Sequence, residues 1–413
     1  MRNSLLSIAV LSIFATPILS YAEDTANAKA DNNSATVEEK AQAVVLNGPG
    51  MNFPLTLNAD PIHFDAGPIG KVYVSGAVSA LGLLQSNPTA PFLDFFHDSS
   101  TGDLSNAQIM LQKIDGPLQF FIRAGGYSLP ALGVPYLRAS KATDHTYGLV
   151  SEAYVKLVPN ETISIQAGKL PTLIGAEYTY TFQNTNIQRG LLWNQENAVT
   201  RGIQVNYANG PLVASVAVGD GFYSKNYDWL SGLVSYVIDD HNSISVVAMG
   251  NVGKTKTRDF DAYTTPLAQN SGQIYNLIYK YTNGPLTLQP YFQFTNVPDE
   301  PSLGFTKDGR TYGFALLGNY AVTKTLNIAA RTEYIESSGN LSNGAPNLLG
   351  YGAGSEAYSF TLTPTYQNKA FFLRGELSYV KINSFDKTSG LGFGSTGRDN
   401  NQSRLLVETG FLF

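Results

Sequence analysis

RLLVETGFLF, residues 404–413, ends the sequence on a phenylalanine. Leu405, Val407, Thr409, Phe411 and Phe413 fall on one face of an extended segment. Arg404, Leu406, Glu408, Gly410 and Leu412 fall on the other. A repeat of two is the period of a β-strand. One face is bulky and largely apolar, while the other holds a base, an acid and a glycine, as suits a wall between hydrocarbon and water. A terminal strand of a soluble sheet has the same period, so the rest of the chain must decide.

The same alternation recurs upstream. From Leu286, one face reads Leu286, Leu288, Pro290, Phe292 and Phe294, against Thr287, Gln289, Tyr291, Gln293 and Thr295. Leu326, Ile328, Ala330 and Tyr334 oppose Asn327, Arg331 and Glu333, and Phe371, Leu373, Leu377 and Tyr379 oppose Arg374, Glu376 and Ser378. These runs come in pairs joined by tight turns at 115–117, 159–161, 209–211, 239–242, 283–285, 323–324 and 367–369. Gly and Pro mark several of them, Gly permitting a positive φ and Pro forfeiting no ladder bond at a strand's first position. Between pairs lie longer segments rich in Gly, Asn, Asp, Ser and Tyr, roughly 84–103, 128–145, 171–198, 220–228, 252–271, 296–310, 336–355 and 382–401.

Strict alternation of short and long connections is the pattern of a transmembrane antiparallel β-barrel with short periplasmic turns and long external loops. Seven turns and eight loops imply about sixteen strands in an all-β fold. The 40–45-residue repeat and blade signatures of a propeller are absent from the sequence. The charged face must turn inward, because a Lys or Arg at the lipid midplane costs about 2–4 kcal/mol against a typical total stability of about 5–15 kcal/mol. The last strand is expected to pair with the first, near Lys71–Leu83, with Val72, Val74, Val78 and Ala80 facing lipid.

Composition agrees. Only 14% of residues are charged, and 24 Tyr and 22 Phe make the chain rich in aromatics. Soluble domains carry about a quarter charged residues. Arg2 precedes an apolar stretch, Leu5–Leu19, and small residues about Ala22, so residues 1–22 read as a secretory signal peptide. Its loss would take the formal charge from −5 to −6, which gives nucleic-acid binding no support. With no cysteine there are no disulfides, thiolate metal sites or acylated cysteine anchors. Residues 23–60, polar and rich in Ala and Asn, read as a mobile periplasmic extension, with a pore plug or an oligomerising helix as alternatives, and residues 61–413 as the barrel.

The stretch "EAYVKL" followed by "ISIQAGKLPTLIGAEYTYTFQNTNIQRGLLWNQENAVTRGIQVNYANGPL", residues 163–212, resembles the putative β-barrel porin-2 family of Gram-negative outer-membrane porins. That resemblance implies passive diffusion of small solutes through the cell outer membrane, with no catalytic residues to carry over. Phe413 and the alternating residues before it, Phe411 included, look like the signal read by the outer-membrane assembly machinery. Lipid, lipopolysaccharide, that machinery and small solutes are the partners implied. Barrels of this size commonly form homotrimers, an analogy only.

Parity places Arg123, Lys156, Lys280, Arg331, Arg374 and Arg404 in the lumen with Glu152, Glu333, Glu376 and Glu408. These pore-lining charges would either bias ion flow or simply pair across strands and keep the wall wet. The longest loop, 171–198, follows the fifth strand, where sixteen-stranded general porins fold a loop inward. By that resemblance it is the constriction candidate, with Glu177, Gln183, Asn184, Asn186, Gln188, Arg189 and Glu196 as its polar groups. The alternative is a loop covering the barrel mouth. Trp193 and Tyr178 are expected to pack the loop.

FHDSS at 96–100 and TDHT at 143–146 would place His97, His145, Asp and Ser at the outer mouth, as in barrel hydrolases, but such neighbours arise by chance in loops of this composition. The reading is a non-enzyme without cofactor or metal. Its function is a water-filled channel for small hydrophilic solutes and ions. The rivals are a channel for hydrophobic compounds plugged by the N-terminal segment, and a surface adhesin or structural barrel with a blocked lumen.

Overall fold

The computed structural model describes residues 54–58, 60–89, 95–340 and 342–413. The expected signal peptide, and all but the end of the 23–60 extension, lie outside the described residues. Among the described residues seventeen strands are formed: β1 Ile62–Asp65, β2 Lys71–Gln85, β3 Ser100–Lys113, β4 Leu118–Tyr127, β5 Val150–Leu157, β6 Ile163–Pro171, β7 Val199–Asn209, β8 Leu212–Gly219 and β9 Trp229–Val237. They continue as β10 Asn242–Asn251, β11 Gln273–Asn283, β12 Leu286–Val297, β13 Gly309–Ala321, β14 Leu326–Ser337, β15 Glu356–Asn368, β16 Phe371–Asn383 and β17 Asn401–Leu412.

From β2 to β17 each strand pairs antiparallel with the next, and β17 returns to β2 in a ladder from Arg404↔Gln85 to Leu412↔Ala77. The result is a closed sixteen-stranded barrel. Closure matters because a free edge would leave backbone amides unsatisfied in hydrocarbon. The seam is finished by the last residue: Gly76 N–H donates to Phe413 O (2.8 Å) and Phe413 N–H to Gly76 O (3.1 Å). Gly76 has to be a glycine here, since a Cβ would lie 2.3 Å from the Phe413 ring.

Strand β1 continues the seam beyond Phe413, pairing Ile62↔Val74 through Asp65↔Lys71. The sequence reading did not anticipate it, because four residues are too few to display a period. Its presence also alters β2. Val78 and Ala80 are exposed on the outer face as expected, whereas Val72, paired with Phe64 of β1, is buried and Val74 half-buried.

Turn chemistry sets the registers. Asn209↔Leu212 and Asn283↔Leu286 close two identical two-residue loops, Gly210-Pro211 and Gly284-Pro285. The glycines have φ of 55° and 52°, and proline fixes the second φ near −65°, the combination of a II′-type hairpin. These tight loops define one end of the barrel and the long loops the other.

The outer face carries exposed Phe292, Phe314, Ile328, Phe360, Leu373, Leu377, Leu405, Val407 and Phe411, with Tyr and Phe near both ends. Most of the inner face is not wet. Apolar clusters fill it, including Leu191 and Leu192 with Leu317, Ile335 and Val380, and Ile187 with Leu81, Leu83 and Leu406. These clusters mix wall residues with residues of the 172–198 segment, so the barrel has a core on the side where that segment lies. Phe292→Arg should lower stability by about 2–4 kcal/mol in denaturant unfolding from phospholipid vesicles. A change below about 0.5 kcal/mol would mean that this face meets water.

Candidate functional site

The segment between β6 and β7 enters the barrel. It is mostly irregular, with short 3-10 turns at Thr181–Gln183 and Leu192–Gln195. Asn184 folds the tip: its side chain accepts from Tyr178 N–H (2.7 Å) and donates to the carbonyls of Tyr178 (2.7 Å) and Tyr180 (2.9 Å). An irregular backbone in a dry interior still needs partners for its N–H and C=O groups. The charged residues of the wall supply them.

Arg374 donates to the carbonyls of Thr181 (3.0 Å), Asn184 (2.8 Å) and Thr185 (2.7 Å) and pairs with Glu408 at 3.4 Å. Glu376 accepts from the N–H groups of Ile187 (2.5 Å) and Gln188 (3.1 Å) and from Gln188 Nε2 (2.9 Å). Arg331 pairs with Glu177 (2.5 Å) and Glu333 (3.3 Å) and donates to Gln188 O (2.9 Å). Glu333 accepts from Leu192 N–H (3.2 Å), and Glu408 from Thr181 Oγ1 (2.6 Å). The fit leaves no room at Gly190, where a Cβ would lie 2.1 Å from Glu333 Oε1.

A second set of contacts holds the neighbouring loop. Arg404 donates to Ala131 O (2.8 Å), Val134 O (2.6 Å) and Gln188 Oε1 (3.0 Å). Leu132 N–H donates to Arg189 O (2.9 Å) and Arg189 N–H to Pro130 O (3.1 Å). Arg123 lies 3.3 Å from Glu152 across the β4–β5 pair, and its guanidinium stacks 4.4 Å from the Tyr180 ring and 5.4 Å from Phe182.

All ten charges expected to line the pore therefore project inward, Lys156 and Lys280 included, but none is more than 8% exposed. They differ from the expected wet wall because eight of them lie beneath or beside infolded loops or in buried cross-strand pairs. Ion pairs in water are worth about 0–1 kcal/mol, whereas breaking a buried one costs about 3–5 kcal/mol. Their geometry is that of a clasp.

The constriction candidates lie inside the barrel rather than over its mouth. Glu177 also accepts from Gly190 N–H (2.7 Å), Gln183 from Tyr180 N–H (3.2 Å), and Asn186 donates to Thr363 Oγ1 (2.7 Å). The Arg189 guanidinium sits 4.7 Å above the Trp193 ring, and Glu196 accepts from Tyr291 Oη. Phe411 lies 5.6 Å from Phe371 on the outer face. His97 is exposed, and His145 stacks on Tyr263 at 4.8 Å.

The segment leaves space on the side of β8–β12. A cavity of about 230 Å³ runs between residues 171–179 and 193–198 and the wall of β8–β12, reaching Pro211, Val237 and Lys280 near the tight-turn end. Its wall is built in rungs: Val237–Ser243–Lys280, then Val213–Ser235–Ser245–Ile278. Sequence reasoning missed these serines by tracking charge rather than every inward residue, although period two assigns them. It also missed Leu55, which is buried among the inward-facing Ala77, Met110, Phe121, Phe372 and Leu412. Thr56 beside it exchanges hydrogen bonds with Gln367 (2.9 Å each way).

Residues 71–413 match the model of the family described as putative beta-barrel porin-2, OmpL-like. No curated protein sequence matches the chain. Among solved structures it is similar to the outer membrane channel DcaP of Acinetobacter baumannii, at 12% identity and a TM-score of 0.56 over 83% of this chain and 97% of that one. It is also similar to OmpT of Vibrio cholerae, at 13% identity and 0.54 over 84% and 99%. A third is OmpF of Salmonella typhi in complex with daunomycin, at 14% and 0.50 over 83% and 98%. At such identities the likeness is one of fold. The match over the whole barrel shows that the chain belongs to the porin-2 family.

Glu376→Ala should free the tip of the segment, since the N–H groups of Ile187 and Gln188 would lose their acceptor at about 1–3 kcal/mol each. Trypsin should then cut after Arg189 in the folded protein, which in the wild type is fully buried. An uncut variant with unchanged unfolding would mean that Glu376 does not hold the segment.

Proposed function

We propose that this member of the porin-2 family is an outer-membrane porin, passing small solutes down their gradients without energy coupling, cofactor or catalysis. The observation that carries this reading is the pairing of a closed sixteen-stranded barrel with an inward segment that occupies one side of the lumen and leaves a cavity along the other. A loop clasped to one wall narrows the path and fixes where it runs. Its outer-face residues meet lipid and lipopolysaccharide, and Phe411 and Phe413 close the chain in the pattern read by the outer-membrane assembly machinery.

The reading with the N-terminal segment as a plug has one observation in its favour: Leu55 is seated among inward-facing residues. The two readings separate by experiment. Liposomes containing the purified protein should swell in an isotonic solution of arabinose, and protein-free liposomes should not. Absence of swelling would overturn the open-channel reading. Swelling that appears only after residues 23–60 are deleted would establish the plug instead.

A further inference from the structure

The cavity along β8–β12 does not continue as a polar passage. Toward the long-loop end the next rungs of the same wall read Ser215–Leu233–Val247–Asn276, then Ala217–Ser231–Met249–Ile274, with Trp229 beyond. Asn276 is spoken for: it accepts from Gly175 N–H (2.8 Å) and donates to Gln293 Oε1 (2.9 Å). Ser215 is buried and donates to Asn206 Oδ1 (2.9 Å), and Ser231 is half-buried; the large inward side chains are apolar. Val247, Met249, Ile274 and Trp229 pack against Ile174 of the inward segment and Phe222 of the β8–β9 loop, and all six are 5% exposed or less. Phe222 meets Trp229 edge to face at 5.4 Å, a contact that requires Gly221, where a Cβ would lie 2.2 Å from the indole.

Hydrophobic constrictions in channels control passage by excluding water. An ion crossing such a ring must shed hydration that no side chain there replaces, whereas an uncharged solute loses much less. Lys280, Glu177 and Glu196 line the cavity below the apolar cluster, the two glutamates held by Arg331 and Tyr291, and Arg201 is paired with Asp220 beside it, while Arg374, Glu376 and Glu408 are on the opposite wall, bonded to the inward segment.

We infer that Ile174, Phe222, Trp229, Val247, Met249 and Ile274 form an apolar collar that sets specificity, admitting small uncharged solutes and holding back ions. The inference rests on the porin reading and narrows its substrate class. Passage requires the collar side chains to part, so the collar is both filter and gate. The half-buried serines below it, Ser235, Ser243 and Ser245, offer hydroxyls to an uncharged polar solute as it enters.

The test uses the full-length protein in two assays, liposome swelling in arabinose and potassium chloride current across planar bilayers. The wild type should swell liposomes readily and carry little current. Val247→Ser with Met249→Ser should wet the collar and raise the current at least fivefold, a larger factor than any accompanying rise in the rate of swelling. If that pair fails to show the heat-modifiable migration of a folded barrel, Ile274→Asn serves in its place. A wild-type current already as large as the variant's would overturn the collar while leaving the porin reading intact. No swelling and no current from either protein would overturn both.

Discussion

The constraint beneath everything else is that a backbone amide in hydrocarbon has no water to bond. Sixteen strands can cross a membrane only if each N–H and C=O meets a neighbouring strand, and the cylinder has no edge once β17 meets β2. Alternation then follows as a consequence, because every second side chain must accept lipid. The last residue takes part directly, its backbone closing on Gly76 and its ring lying over the space that a glycine leaves.

The same accounting applies inside the barrel. The segment between β6 and β7 has almost no regular structure of its own, so its amides and carbonyls depend on others. Arg374 satisfies three carbonyls and Glu376 two amides, and Arg331 and Glu333 do the same a few residues on. Residues that would be a selectivity device in an open lumen become structural once the segment covers them. Charge sign along the wall matches the backbone group to be satisfied, guanidinium opposite carbonyl and carboxylate opposite amide.

Much of this fold was legible in the sequence because a strand's period and a hairpin's turn are local. The seven turns, the eight loops and the lipid face of β12, β14 and β16 all fall where alternation and turn chemistry placed them. Strand β1 escaped because four residues carry no period, and Val72 was misjudged for the same reason, its cover being β1. The clasp was legible only in part. Parity showed that Arg374 and Glu376 point inward, but Ile187 and Glu376 are 189 residues apart, and nothing local says that one will bond the other. The serines and apolar residues of β8–β11 lay in plain view and were passed over, since charge is the more conspicuous signal.

The two sides of the barrel obey one backbone rule yet have different interiors, and the difference lies in side-chain size. On β14, β16 and β17 the inward positions carry Arg and Glu, long enough to reach the inward segment and hold it. On β8–β10 they carry mainly Ser, Ala, Val, Leu and Met, too short or too apolar to do so. The segment is held to the first wall by charged groups and touches the second mainly through Ile174, so the cavity lies where the wall offers no charged group to hold its backbone. The residues that hold the inward segment in place are thereby separated from those that line the cavity. Under the proposed reading, changes at β9 and β10 alter what passes without loosening the clasp, and changes in the clasp act on passage only by moving the segment.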